Sequence, residues 1–221
     1  VAISDWTSQV QGNYVFLLET ISPIAGTGSL RLERNSGTGS EGAIIYPTSL
    51  TTGLTKGRLQ TVLHLEEMTE DNAVNQYVGM FFMINSLSNP LTSSSMYSFM
   101  VGVNDLGAVS LNLGKSVGGG VAGLNVTSLD TSAIPAVPVG NDLALQVDWV
   151  YDAIQFAGVK ITANWKQGDD FTSLINAFDL VDNISPLTTS VAEGLGGLSN
   201  TGPNDWVMFF DDTSLFDLVP V

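Results

Sequence analysis

Five large apolar residues, Trp206-Val207-Met208-Phe209-Phe210, run straight into two carboxylates, Asp211 and Asp212. Such a run predicts a buried strand whose last turn emerges into water or onto a cation. Further carboxylates cluster at Glu66, Glu67, Glu70 and Asp71, the residue types that a general acid and base would need. Glu66 and Glu67 point to opposite sides of an extended chain, however, and the spacing reads as a charged turn. The single imidazole, His64, falls on the polar parity of an alternating segment. There a solvent-facing or loop-bonded histidine fits better than one that contacts a ligand.

Two glycine motifs match nucleotide and nucleophile patterns by letter alone. Gly37-Thr38-Gly39-Ser40-Glu41-Gly42 has dinucleotide-binding spacing, but that motif works only where a strand runs into a helix whose N-terminal amides receive the pyrophosphate. Here Ala43-Ile44-Ile45-Tyr46-Pro47 follows, which is strand-like and then broken, so the glycines read as a turn. Gly114-Lys115-Ser116-Val117-Gly118 fits a nucleophile elbow, yet the required downstream His is missing because His64 lies upstream. The same Gly-Lys-Ser lacks the earlier glycine of a phosphate loop, since Val109 stands there. Asn125-Val126-Thr127 is a glycosylation sequon, meaningful only in a eukaryotic secretory pathway.

These residues sit in a chain of 221 with 22 acidic and 7 basic side chains, a net charge of −15. A surface so negative repels nucleic acid and anionic membranes, which removes both as expected partners. It suits a solubilising surface in saline or extracellular surroundings, or one that collects divalent cations. There is no cysteine, so disulfides and thiolate metal sites are excluded and a zinc site would rest on His64 alone. No apolar run approaches the ~20 residues of a membrane helix, so membrane insertion is not expected. Val1 opens without an initiator Met or a basic leader, which leaves a trimmed Met and a removed leader equally open.

The elements that must carry this chemistry read as strands. Ser29 to Glu33 alternates cleanly between glycines. From Gly57 to Glu66, Leu59, Thr61, Leu63 and Leu65 face one way while Arg58, Gln60, Val62, His64 and Glu66 face the other. Tyr77 to Asn85 is apolar on both parities, with Val78, Met80, Phe82 and Ile84 opposite Tyr77, Phe81 and Met83. Met96–Val103 and Ala108–Leu113 predict a hairpin around residues 104–107. Asp142–Val150 and Phe156–Lys166 alternate on either side of a turn at Tyr151-Asp152-Ala153. Phe171–Asp179 fits either a strand or a short helix. About ten strands, turn clusters between them and no helical repeat predict an all-β fold, an antiparallel β-sandwich of two packed sheets with little helix. No linker divides it, so residues 1–221 are expected to form a single domain.

Three stretches bear on partners. Residues 116–140, poor in charge and rich in Gly, Val, Ala and Pro, read as a long loop that covers or binds something. The tail Leu215-Phe216-Asp217-Leu218-Val219-Pro220-Val221 is likewise apolar. Strands with two apolar faces, at Tyr77–Ile84 and Trp206–Phe210, need cover on the side a sandwich leaves open, from the chain itself or from another subunit.

The order of segments adds a resemblance. Gly28-Ser29-Leu30-Arg31-Leu32 comes early and Tyr77-Val78-Gly79-Met80-Phe81-Phe82 mid-chain. Asp142-Leu143-Ala144-Leu145-Gln146-Val147-Asp148-Trp149, Val159-Lys160-Ile161 and Phe171-Thr172-Ser173-Leu174 follow, and Val207 to Leu215 closes the chain. This succession resembles the concanavalin A-like lectin/glucanase jelly rolls, which include laminin G-type domains and related carbohydrate-binding modules. The resemblance implies a jelly roll that binds glycans, hydrolyses them, or serves as a structural component of a virion or surface assembly. The Glu-x-Asp-x-x-Glu strand of the glucanase branch is absent, so an enzyme is not expected and a glucanase-like glycoside hydrolase stands as the alternative. Related modules hold a structural calcium between an early-strand acid and the closing strand; the corresponding residues here are Glu19 with Asp211 or Asp212.

The expected role is therefore a non-catalytic, surface-displayed module, binding glycan or decorating an extracellular or virion surface, with other subunits or further copies of itself as alternative partners. Sugar recognition needs amide, carboxylate and hydroxyl groups on an open face, with aromatic surface nearby. On the outward parity these are Gln146, Asp148, Lys160, Thr162 and Asn164, with Tyr151 at the adjoining turn.

Overall fold

The computed structural model describes residues 6–19, 29–35, 41–47, 54–68, 76–104, 107–118, 126–199 and 206–216. In chain order the strands are β1 (Trp6–Gln11), β2 (Tyr14–Glu19), β3 (Ser29–Arg34), β4 (Glu41–Pro47), β5 (Lys56–Met68), β6 (Gln76–Ile84) and β7 (Met96–Asn104). They continue as β8 (Gly107–Ser116), β9 (Thr127–Val137), β10 (Asp142–Asp152), β11 (Gly158–Gln167), β12 (Ile175–Asp182), β13 (Ala192–Ser199) and β14 (Trp206–Phe216). One four-residue helix, α1 (Pro90–Ser93), interrupts them. No helix among the described residues is long and apolar enough to cross a membrane.

Two seven-stranded antiparallel sheets pack into a jelly-roll sandwich. The first has the order β1-β4-β13-β6-β7-β8-β9 and the second β12-β11-β10-β5-β14-β3-β2. Period-2 alternation decides what each strand contributes. Leu143, Leu145, Val147 and Trp149 of β10, Val159, Ile161 and Ala163 of β11, and Leu59, Leu63 and Leu65 of β5 face the first sheet and are buried. Met80, Phe82, Tyr97, Phe99 and Leu111 meet them from the other side. The Phe82 ring lies 5.4 Å from those of both Tyr97 and Trp149. Trp149 packs over Gly57, its neighbour on β5, where an added Cβ would come within 2.4 Å of the indole. A glycine is required there by close approach alone.

Two buried ion pairs cross this interior. Arg34 Nε donates to Glu41 at 3.1 Å with the arginine fully enclosed. Lys115 Nζ donates to Asp182 at 2.5 Å and to the carbonyls of Ile184 and Ser185 at 2.8 Å each. Asp182 also accepts from the Tyr97 hydroxyl at 2.6 Å; burial, and after it this bond, push the phenol far above its usual range. With its partners satisfied, this pair joins β8 to the end of β12 and to the turn beyond it.

Several expectations change. Residues 127–137, expected as part of a long loop, form the edge strand β9, whose Ser, Thr and Ala residues pair with β8 although they carry no apolar alternation. The two faces of β6 exchange near its end: Met83 enters the inner core while Ile84 joins the outer layer, because Met83 adopts φ 52° beside a register shift opposite β13. Phe171–Asp179 resolves into the strand β12, which starts at Ile175. Asp211 and Asp212 do not end their strand; a bulge there lets β14 continue to Phe216. Gly114-Lys115-Ser116 lies inside β8, consistent with a chance motif match. Residues 37–40 of the other glycine motif, Glu70, Asp71, Asn125 and the apolar tail 217–221 lie outside the described residues.

Of the two strands with two apolar faces, β6 is covered within the chain, whereas Phe209 of β14 stays half-buried on the outer face of the second sheet. A second cluster on the outside of the first sheet contains Ile44, Phe81, Ile84, Met96 and Met100, with Leu91 of α1 buried among them.

Candidate functional site

The outer face of the second sheet is polar. Register stacks its side chains in rows, with neighbouring strands about 4.8 Å apart. One row runs Thr162–Asp148–Arg58–Phe216, and the next Asn164–Gln146–Gln60–Ser214. A third contains Asp142, His64, Phe209 and Arg31. Between them Ala144 and Val62 are paired neighbours and both buried, a low apolar floor among taller polar side chains.

Hydrogen bonds hold this surface in place. Arg58 grips Asp148 with two parallel bonds, Nε to Oδ1 at 2.6 Å and Nη2 to Oδ2 at 2.9 Å. By accepting these bonds Asp148 holds the guanidinium in its charged form, raising its pKa. Gln146 Nε2 donates to the same carboxylate at 3.3 Å. Thr162 donates to Asp179 at 3.2 Å, and Lys160 pairs with that aspartate at 3.3 Å. Asn176 donates to Asn164 at 3.1 Å. Lys166 pairs with Asp170 at 2.7 Å, which with the Thr172 contacts drives that carboxyl far below the usual carboxylate range.

His64 is clamped between carboxylates, Nδ1 at 2.6 Å from Asp142 and Nε2 at 3.2 Å from Glu66, with the Phe209 ring centroid 6.3 Å away. A neutral imidazole satisfies one of these acceptors as a donor, and an imidazolium satisfies both. The arrangement orients the ring firmly, and it presents an acid–base-capable group on the open face.

Five of the expected residues, Gln146, Asp148, Lys160, Thr162 and Asn164, lie together on this face. Tyr151 does not join them: it is on the inward parity of β10 and packs against the edge of the core. Arg58, Gln60 and His64 were legible as outward residues of their strand. Their place beside Asp148, Gln146 and Asp142 was not, because strand order within a sheet leaves no trace in local periodicity.

The calcium candidates fall in one row. Glu19 is paired with Ser29, and Ser29 Oγ donates to Asp211 Oδ2 at 3.2 Å. The backbone N–H of Asp212 donates to Asp211 Oδ1 at 2.8 Å, and Asp212 itself is exposed with φ 44°. Thr61 donates to the Asp211 carbonyl at 3.1 Å. Asp211 thus accepts a donor on each carboxylate oxygen, while the Glu19 side chain lies outside the described residues. Among the described residues no group of three or more His, Asp or Glu side chains is arranged to hold a metal.

The fold has several solved likenesses at low identity. The lumenal domain of VIP36, bound to calcium and Man3GlcNAc, superposes with a TM-score of 0.54 at 10% identity, covering 100% of this chain and 86% of that one. The carbohydrate recognition domain of Emp47p gives 0.53 at 9% identity, with 98% and 90% covered. A marine PL-14 alginate lyase from Aplysia kurodai gives 0.60 at 10% identity, with 93% and 87% covered. The chain therefore has a jelly-roll fold, shared by these domains and by a lyase. No protein-family model and no curated protein matches the sequence.

Proposed function

We propose that residues 1–221 act as one non-catalytic glycan-binding module, displayed on an extracellular or virion surface. The observation that carries this reading is the ordered polar face of the second sheet. Gln60, Asn164, Asp148 and Arg58 offer both donors and acceptors there, beside the half-exposed Phe216, and Gln146, itself buried beneath them, donates to Asp148. Sugar hydroxyls are both donors and acceptors, so an array of amides and an ion pair can satisfy them without rearranging the sheet. The fold's likeness to domains solved with mannose-containing glycans supports the same reading.

The test is titration of soluble oligosaccharides by calorimetry, followed by Gln146→Ala. The expected result is saturable binding that weakens at least about tenfold in the variant, the equivalent of ~1.4 kcal/mol. Binding unchanged by Gln146→Ala moves the site off this face.

Calcium enters the proposal as a structural ion held by Asp211, Asp212 and Glu19, with Ser29 and carbonyl oxygens completing the shell. A melting temperature identical in calcium and in chelator removes it. A role in decorating a larger assembly, through other subunits or further copies of this chain, belongs to the same proposal; a mass that rises with concentration in light scattering would support it.

A second reading has one specific observation behind it. The His64–Asp142 pair is an oriented acid–base group on the same face, which suits a glucanase-like glycoside hydrolase or another glycan-cleaving enzyme. Release of reducing ends from a polysaccharide panel, lost on His64→Ala, would establish that reading instead.

A further inference from the structure

The proposed glycan site carries a charge pattern that narrows its ligand. The chain has seven Lys and Arg residues. Arg34 and Lys115 are enclosed in the sandwich, each on its own carboxylate. On the outer face of the second sheet Arg31 pairs with Glu33 at 3.1 Å, Arg58 with Asp148, Lys160 with Asp179 and Lys166 with Asp170. Among the described Lys and Arg residues only Lys56, at the first position of β5, is in no ion pair. The imidazole is likewise flanked by two carboxylates.

Recognition of a uronate, sulfate or phosphate uses an unengaged guanidinium or ammonium, best of all a bidentate arginine. Arg58 has the right geometry but presents it to Asp148. An anionic sugar would have to displace that carboxylate and then lie against it, within the field of a protein with net charge −15. An uncharged sugar meets no such conflict. Its hydroxyls donate to Asp148 and accept from the half-buried Gln60, while the ion pair stays closed. Resting on the glycan-binding reading of this face, we infer that the site selects uncharged oligosaccharides and rejects uronate or sulfated ones, with Asp148 as the residue that sets this selectivity.

The experiment compares neutral glucan and mannan oligosaccharides, alginate oligosaccharides and chitosan oligosaccharides by calorimetry, at low and high salt, on the wild-type chain and on Asp148→Asn. The isosteric change leaves Arg58 without its counter-charge while keeping the side-chain shape, and circular dichroism checks that the fold is retained. The expected result is neutral-sugar binding that is insensitive to salt, with alginate at least about tenfold weaker. In Asp148→Asn, alginate should gain at least about tenfold, and that gain should vanish at high salt. Wild-type binding of alginate at equal or greater strength than neutral sugars overturns the inference while leaving a glycan site in place. Binding of chitosan alone does the same, because it would make the acidic excess the recognition element. An Asp148→Asn variant that folds but gains no alginate binding removes Asp148 from the selective role. If no sugar of any class binds the wild type, the glycan-binding reading itself fails.

Discussion

The two sheets present opposite outer faces, although their inner faces are alike. Outside the first sheet, Ile44, Phe81 and Met96 are fully buried beneath Leu91 and other parts of the same chain. Outside the second, Arg58, Gln60, His64 and Lys160 remain partly exposed, and Arg58, His64 and Lys160 are ordered by neighbouring carboxylates. The first face contributes stability through area removed from water, and the second is left free to recognise something. Two apolar faces on a strand do not by themselves imply a partner subunit. On the first sheet the covering material is intramolecular.

Substitutions should separate the two faces. The largest effect is expected for Phe81→Ala in the covered layer, about 3–5 kcal/mol of unfolding free energy by denaturant titration, with sugar binding intact in the folded fraction. A loss below about 1 kcal/mol would mean that the outer layer is loosely packed. Lys115→Ala, which strands Asp182 inside the sandwich, should cost a similar ~3–5 kcal/mol. Replacing Lys115 by Met should cost clearly less if Asp182→Asn is introduced with it, because no buried charge is then left unpaired.

The next effect concerns Glu193 on β13, which is buried with neither carboxylate oxygen hydrogen-bonded; the nearby Ser190 hydroxyl donates to the Ala192 carbonyl at 2.8 Å instead. Burial raises its pKa from 4.5 to about 7. The folded state therefore prefers the protonated acid. Its contribution is fully present below pH 4.5 and is lost as pH rises through about 7. Glu193→Gln should flatten this part of the stability–pH curve and stabilise the protein above neutrality, by a few kcal/mol at most. An unchanged curve would show that the carboxylate finds a partner in solution.

The smallest stability effect is expected at the polar face. Arg58→Ala should cost about 1 kcal/mol or less, since the pair is solvent-screened, and the loss should shrink further at high salt. A cost comparable to Phe81→Ala would erase the contrast between the faces.

Much of the fold was legible. The alternation in β5, β10 and β11 assigned inner and outer residues correctly, and the closing strand was recognised from its apolar run. β9 escaped because an edge strand of small polar residues has little apolar alternation to read. The exchange of faces at Met83 escaped because a single left-handed residue reverses parity without a sequence marker such as glycine. Tyr151 was placed by its closeness to a turn, whereas its parity puts it inward.

By itself, then, the sequence determined an all-β chain, the parity of its long strands and the acidic excess over seven basic residues. It also determined that Gln146, Asp148, Lys160, Thr162 and Asn164 share a face, since successive side chains of a strand alternate and β10 and β11 are joined by a short turn. Only the tertiary structure decided that β5 lies between β10 and β14, bringing Arg58 to Asp148 and His64 to Asp142. It alone decided that Ser29 bridges the Glu19 and Asp211 strands, and that nearly every cation is matched to a carboxylate. The reason is physical: parity is a property of one strand's backbone, whereas strand order is fixed by how two whole sheets bury their apolar faces together.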